Sequence, residues 1–258
     1  MQGTHTVVRG VRAWASPWWA FAAFVAVSWY LLLRYHQTDH AGNGGFGVAL
    51  AMWSLMVVTM MAPTAVPALA VLREVLAGRH TARWWMFLAA YLAVWWGFSV
   101  LAATAQWLLA DAVLLDAHGR LGRLPAAVAL LLAGAYQFSS LKERCQTACA
   151  MPFQWFLRHW RDGARGALRM GLHHGVTCVG CCWALMLLAF VGGVGSLWVM
   201  AVMTVLMIVE KLPALGRRVT VPLGVALVCA GVLLIALPAG GTPAHHGAGH
   251  MIEGKDPT

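Results

Sequence analysis

Negative charge is scarce in this sequence: nine Asp and Glu side chains stand among 258 residues, against eighteen Lys and Arg. With so few acids, and almost none inside the apolar runs, there is no paired-carboxylate site for hydrolysis. A chain of buried acids on which a proton-coupled pump could run is missing too. The motifs also lack a phosphate-binding glycine loop and a hydrolytic nucleophile set, which removes ATP-driven transport and the common hydrolases. Apolar and polar residues do not alternate within the hydrophobic runs, so a β-barrel is excluded. No repeat of fixed period is present.

What remains is strongly apolar. Hydrophobic residues make up 60% and charged residues 10%, with a mean hydropathy of +0.70, far from soluble globular composition. Runs long enough to cross a hydrocarbon core occur at 17–33, 48–72, 84–109, 124–141, 172–191, 194–209 and 219–237. In lipid every backbone amide must pair within its own segment, so these runs are expected to be helices. The predicted fold is all-α, a polytopic bundle of about seven spans. The fifth and sixth are joined only by Gly192-Gly193 and could form a short or re-entrant hairpin. Residues 1–237 read as one membrane domain with an inner-surface connection at 142–171, amphipathic around 153–160. Residues 238–258 read as a disordered tail carrying His245, His246, His250 and Met251. The first run lacks a small-residue cleavage site after Arg34 and is read as a retained span.

Seven spans put the amino terminus and the even-numbered connections on one side of the membrane. Of the eighteen basic residues only Arg34, Arg120, Arg123 and Lys255 fall on the other side, so the richer side, amino terminus included, is expected to be cytoplasmic and the carboxyl terminus extracytoplasmic. The net charge of +9 is thus a topology signal, and a nucleic-acid partner is not expected. The fourteen tryptophans, paired near run ends as Trp18-Trp19 and Trp84-Trp85, are expected to be headgroup anchors. Glu210-Lys211, at the inner end of the sixth run, is expected to be a local ion pair.

Chemistry concentrates in the segment from His173 to Trp183. At about 100° per residue a helix there puts His174, Cys178 and Cys181 within one narrow sector, with Cys182 on its edge. Cys145 and Cys149, spaced i and i+4, close the preceding run, so five of six cysteines bracket one connection. Cys229, alone in the last run, is expected to be a small buried hydrophobe. Thiolate and imidazole together suit Cu(I) or Zn(II), and the choice between them turns on geometry and accessory ligands. His173 is a weaker candidate than His174. Met60 lies on a stripe with Met52 and Met56, while Met203 and Met207 lie on another with Met200. These thioethers, with Met61 beside the Pro63 and Pro67 interruption, are possible auxiliary ligands.

The segments Trp53-x2-Met56 into Met60-Met61-x-Pro63, Gly134-x-Tyr136-Gln137, Leu141-Lys142-x2-Cys145-x3-Cys149-x2-Pro152 and Gly171-x2-His174-Gly175-x2-Cys178-x-Gly180-Cys181-Cys182-Trp183, followed by Glu210-Lys211, resemble a bacterial family of predicted metal-binding integral membrane proteins. That family is a domain of unknown function labelled copper chaperone. The resemblance covers residues 47–212, with Gly-Cys-Cys-Trp its most specific part. It implies copper handling, with Cys145, Cys149, His174, Cys178, Cys181 and Cys182 at the matched positions. Two departures stand out. Ser140 replaces an expected proline before Lys142, and Gly195 replaces a methionine, removing one thioether.

Three functions follow. The first is a non-enzymatic inner-membrane protein that holds Cu(I) near the cytoplasmic face for transfer, transport or delivery, partnered by lipid, the ion and a cuproprotein or other membrane complex. The second is an assembly factor or subunit of a larger membrane complex. The third is a thiol–disulfide oxidoreductase built on Cys178-x2-Cys181, which the reducing side of the membrane disfavours.

Overall fold

The computed structural model describes residues 18–34, 45–77, 80–116 and 118–237. The amino-terminal Arg9 and Arg12, and the histidine-containing tail at 238–258, lie outside the described residues. Eleven helices carry the described chain, without strands. They are α1 (Trp18–Arg34), α2 (Phe46–Thr64), α3 (Val66–Val75), α4 (Thr81–Asp111), α5 (Arg123–Gln137), α6 (Ser140–Ala150), α7 (Pro152–His159), α8 (Gly163–Leu187), α9 (Ala189–Gly192), α10 (Leu197–Glu210) and α11 (Gly216–Ala236).

The all-α fold agrees with the apolar runs, each of which contains a helix. Length separates them. Among the described residues four helical segments are long and apolar enough to cross a membrane: α2, α4, the α8–α9 segment Gly163–Gly192, and α11. A fifth arises if α5 and α6, bent by 65° at their junction, form one broken span. The expected count of seven is therefore not reached, because α1 and the 14-residue α10 are shorter apolar helices. At 1.5 Å per residue a 14-residue helix reaches only about 21 Å, short of a hydrocarbon core about 30 Å thick.

Prolines and glycines set the breaks. Pro63 and Pro67 flank Ala65, where α2 gives way to α3, and the Ala65 amide bonds back to Ala62 and Pro63 carbonyls. Each proline lacks an N–H and crowds the preceding turn. Gly193, at φ 99°, turns the chain out of α9, and the Ser196 hydroxyl caps α10 by accepting from the Val199 amide. At the opposite end of the bundle from Lys142, the Asp116 carboxylate accepts the His118 and Arg120 amides at 2.8 Å. These bonds hold its carboxyl below the ordinary value.

Helices α4 and α8 form the centre. Gly171 and Gly175, one turn apart on α8, lie against Phe87, Ala90, Tyr91 and Val94 of α4. A Cβ at Gly171 would sit 2.8 Å from the Ala90 methyl and one at Gly175 3.0 Å from Val94, so small residues let the two backbones close, as at other membrane helix crossings. Around this crossing Trp53, Trp84, Phe87, Tyr91 and Trp95 are fully buried. Trp84 was expected to anchor at the headgroups. It instead packs edge-on against Trp18 and donates to the Leu69 carbonyl at 3.0 Å, while Trp53 donates to Gln106 at 2.8 Å. Neighbouring helices supply an acceptor for both of these indoles, and an indole so bonded can be buried, whereas the buried Trp95 Nε1 has no hydrogen-bond partner among the described residues. Trp19, Trp96, Trp107 and Trp198 do point outward.

The connection at 142–171 is helical for most of its length. Ser139 caps α6 by accepting from the Lys142 amide at 3.1 Å, and the bend after α5 lays α6 against α8, burying Lys142 and Cys149. Helix α7 is amphipathic, with Trp155 and Phe156 inward and Phe153 and Leu157 outward. The next helix starts at Gly163, well before the expected 172.

Candidate metal centre

Helix α8 presents its donors as one buried stripe. His174, Cys178, Cys181 and Cys182 are all inside the bundle. Across from them α6 carries Lys142, Cys145 and Cys149 at i, i+3 and i+7, a single helix face turned toward α8. The Sγ atoms of Cys149, Cys178 and Cys181 lie within 4.8 Å of one another. Cys149 and Cys181 are 4.0 Å apart, and the Cys181 thiol donates to the Cys178 carbonyl at 3.2 Å. Cys182 joins through Cys181, sulfur to sulfur at 3.1 Å, at the edge of the triad.

Cys145 stands apart, half-buried and one turn earlier on α6. Its sulfur fills the space over Gly180, where a Cβ would come within 2.8 Å. All six cysteines are free. Cys229 is exposed on α11, contrary to the buried role expected of it. That helix packs on α5 through its glycine face, where Gly224 and Gly231 lie against Gln137 and Leu131, which leaves the thiol looking outward.

Cys178 has the richest surroundings. The Lys211 ammonium donates to its sulfur at 3.0 Å and to Thr64 Oγ1 at 2.7 Å. The Tyr91 hydroxyl lies 3.1 Å from the same sulfur and donates to the Met61 carbonyl at 3.1 Å. The break at Pro63 therefore faces the thiols, since Met61 and Thr64 lie on either side of it in the last turn of α2. An ammonium held against a sulfur in a dry interior offsets negative charge placed there.

Glu210 and Lys211 do not pair with each other. The Lys142 ammonium donates to both Glu210 carboxylate oxygens, at 2.9 and 3.0 Å, with both side chains buried. Adjacent side chains diverge by about 100° around a helix, so at the end of α10 Glu210 turns to α6 and Lys211 to α8 and α2.

His174 sits in an aromatic box of Phe87, Tyr91 and Trp155, with ring centroids 5.7, 5.9 and 5.1 Å away. Its Nδ1 is buried without a hydrogen-bond partner among the described residues. It is not one of the three donors in mutual reach. His173 is on the outer face, edge-on to His159 at 4.7 Å. Of the methionines, Met60, Met61 and Met207 are buried and Met203 half-buried. Met61 is tied to the cluster through Thr64, whose hydroxyl lies 4.0 Å from its sulfur.

Sequence reasoning missed Lys142, Lys211, Thr64 and Tyr91 as neighbours of the site. A tyrosine in the middle of an apolar helix, and lysines at the very ends of others, are signals of buried partners, because neither group enters an apolar interior unpaired.

A model of the PpoB2 family, described as copper chaperone, matches residues 50–234, and the chain belongs to that family. No curated protein and no solved structure matches it.

Proposed function

We propose that the chain is a non-enzymatic membrane protein that takes Cu(I) as cargo on the thiolates of Cys149, Cys178 and Cys181 and passes it to a cuproprotein or membrane complex. The observation that carries this reading is the convergence of three sulfurs from α6 and α8 within 4.8 Å. Thiolates select soft ions. A first-row metal–thiolate bond is about 2.3 Å long, so three sulfurs in a plane around one ion stand about 4.0 Å apart, the separation of Cys149 and Cys181. Three mutually close donors suit trigonal Cu(I) better than Zn(II), whose structural sites take four ligands. Lys211 offsets part of the charge of a tris-thiolate site. Cys182, 3.1 Å from Cys181, is placed to accept the ion as it leaves the triad.

Orientation is part of the proposal. Lys142 pairs with Glu210 and Arg217 with Glu143 at one end of the bundle, where Lys211 meets Cys178, while Arg123 reaches the Leu234 carbonyl at the other. The basic bias supports a cytoplasmic thiol end, in the inner membrane of a bacterial cell. Thiol–disulfide exchange needs an accessible attacking sulfur, and the depth of Cys149, Cys178 and Cys181 weighs against that alternative.

Purified protein in mild detergent, titrated with Cu(I) against a chelator, tests the reading. We expect one tightly held ion per chain, absent when Cys149, Cys178 and Cys181 are all serine. Uptake that survives the triple replacement, or a stronger preference for Zn(II), contradicts it.

A further inference from the structure

Beside the thiol site, separated from it by the Lys142–Glu210 pair, a cavity of about 360 Å³ opens where the α5–α6 bend meets the turn between α10 and α11. Gln137, the last residue of α5, lines it. Its side chain is buried, yet neither its amide oxygen nor its amide nitrogen has a hydrogen-bond partner among the described residues. Buried amides are rarely left so, because the lost hydration is not returned. Gly224 on α11 fixes the position of Gln137. A Cβ there would stand 2.8 Å from the Gln137 Cβ and from the Phe138 ring.

The rest of the wall has a graded character. Beyond Gln137, the buried polar part of the lining is Glu210 and Thr220, with Gln146 beside them bonded to Thr220 at 3.0 Å. At the mouth Glu143 and Arg217 pair at 3.1 Å, both exposed to solvent. The lip is apolar and outward-facing, formed by Phe138, Leu212 and Val221. Each acid has its own base, Glu210 with Lys142 and Glu143 with Arg217, so the cavity has no net charge to attract a simple anion or cation. At about 30 Å³ per water molecule the space far exceeds the one or two waters that Gln137 would need. Its volume falls in the range of small-molecule sites, roughly 300–1,000 Å³.

We propose that this cavity binds the headgroup of a zwitterionic phospholipid whose ammonium still carries N–H. Such a head offers what the walls lack. Its ammonium donates to the Gln137 oxygen and to a free lone pair of Glu210, its phosphate accepts from the Gln137 amide nitrogen and from Arg217 at the mouth, and its acyl chains lie along Phe138, Leu212 and Val221. The position agrees, since Lys142, Arg144, Lys211, Arg217 and Arg218 mark this end of the bundle as the headgroup layer. None of its lining residues is a donor of the thiol site.

Phosphatidylethanolamine and phosphatidylcholine with identical acyl chains differ only at the head nitrogen, where three N–H donors give way to three bulkier methyl groups. Delipidated full-length protein in mild detergent, titrated with each lipid and read by native mass spectrometry, is expected to retain the ethanolamine lipid about threefold to tenfold better, the worth of one or two good hydrogen bonds. Gln137→Leu, close in shape, is expected to at least halve that preference, leaving only the share owed to Glu210, while melting, without lipid, no lower than wild type, since it removes an unpaired amide. Equal retention by the wild type, or a preference undiminished in Gln137→Leu, overturns the proposal. So does binding of chain-free phosphoethanolamine as tight as that of the lipid, which would make the occupant a soluble phosphate ester.

Discussion

Helices α8 and α11 look alike on paper. Both are long, apolar, rich in glycine and equipped with cysteine, and α11 has the higher mean hydropathy over its most apolar window, 2.5 against 2.1 for the α8–α9 segment. Their surroundings differ completely. Over half of the α8–α9 window is buried, against 22% for α11, and of the two only α8 is met by a second helix bearing thiols and by a lysine from a third. A cysteine on α11 meets the outside, and one on α8 meets Lys211, Tyr91 and two other sulfurs. Apolar character marks a helix for the membrane. Its chemistry comes from what the neighbours bring to its buried face.

That contrast can be broken at its strongest point first. Glu210→Gln leaves the Lys142 ammonium buried beside α8 without its counter-charge. A loss of about 3–5 kcal/mol is expected, seen as a markedly lower melting midpoint in detergent or as failure to accumulate. An unchanged midpoint would mean that the polar neighbourhood of α8 is not structural. Next, Gly171→Val forces α8 away from Phe87 and Ala90. A cost of about 1–3 kcal/mol is expected, with copper affinity falling alongside stability because the sulfurs move with the helix.

Smaller and more selective is Lys211→Met. Its stem still fills the space, but the charge on Cys178 is lost. Copper affinity should fall by about 10- to 100-fold, the usual scale for a residue bonded to a metal ligand, as read by chelator competition. An affinity unchanged within twofold would show that Lys211 only packs. Smallest of all is Cys229→Ser on α11, which should leave stability within about 0.5 kcal/mol and copper binding untouched. A loss of copper there would erase the contrast altogether.

Local periodicity explains what could be read from the chain alone. The donor stripe of α8 depends only on helical spacing, so His174, Cys178, Cys181 and Cys182 were all legible as one face, and burial agrees with it. The all-α bundle follows from runs that lack alternation. Legibility ended where tertiary geometry begins. Cys145 and Cys149 are equivalent by spacing, and only the 65° bend after α5 decides that Cys149 reaches the triad while Cys145 rests on Gly180. Glu210 and Lys211 suggested a pair because they are adjacent, although a helix turns adjacent side chains apart. Cys229 was misjudged for a related reason, since an apolar sequence around a residue does not say whether protein or lipid surrounds it.

The most direct test sets the two α6 cysteines against each other. Cu(I) affinity by chelator competition, with X-ray absorption counting sulfur neighbours, should find three sulfurs in the wild type and in Cys145→Ser. In Cys149→Ser it should find a lost sulfur and an affinity lower by more than about 100-fold, beyond the effect expected of any second-layer group. Retention of full affinity by Cys149→Ser, with loss in Cys145→Ser, would contradict the site described here.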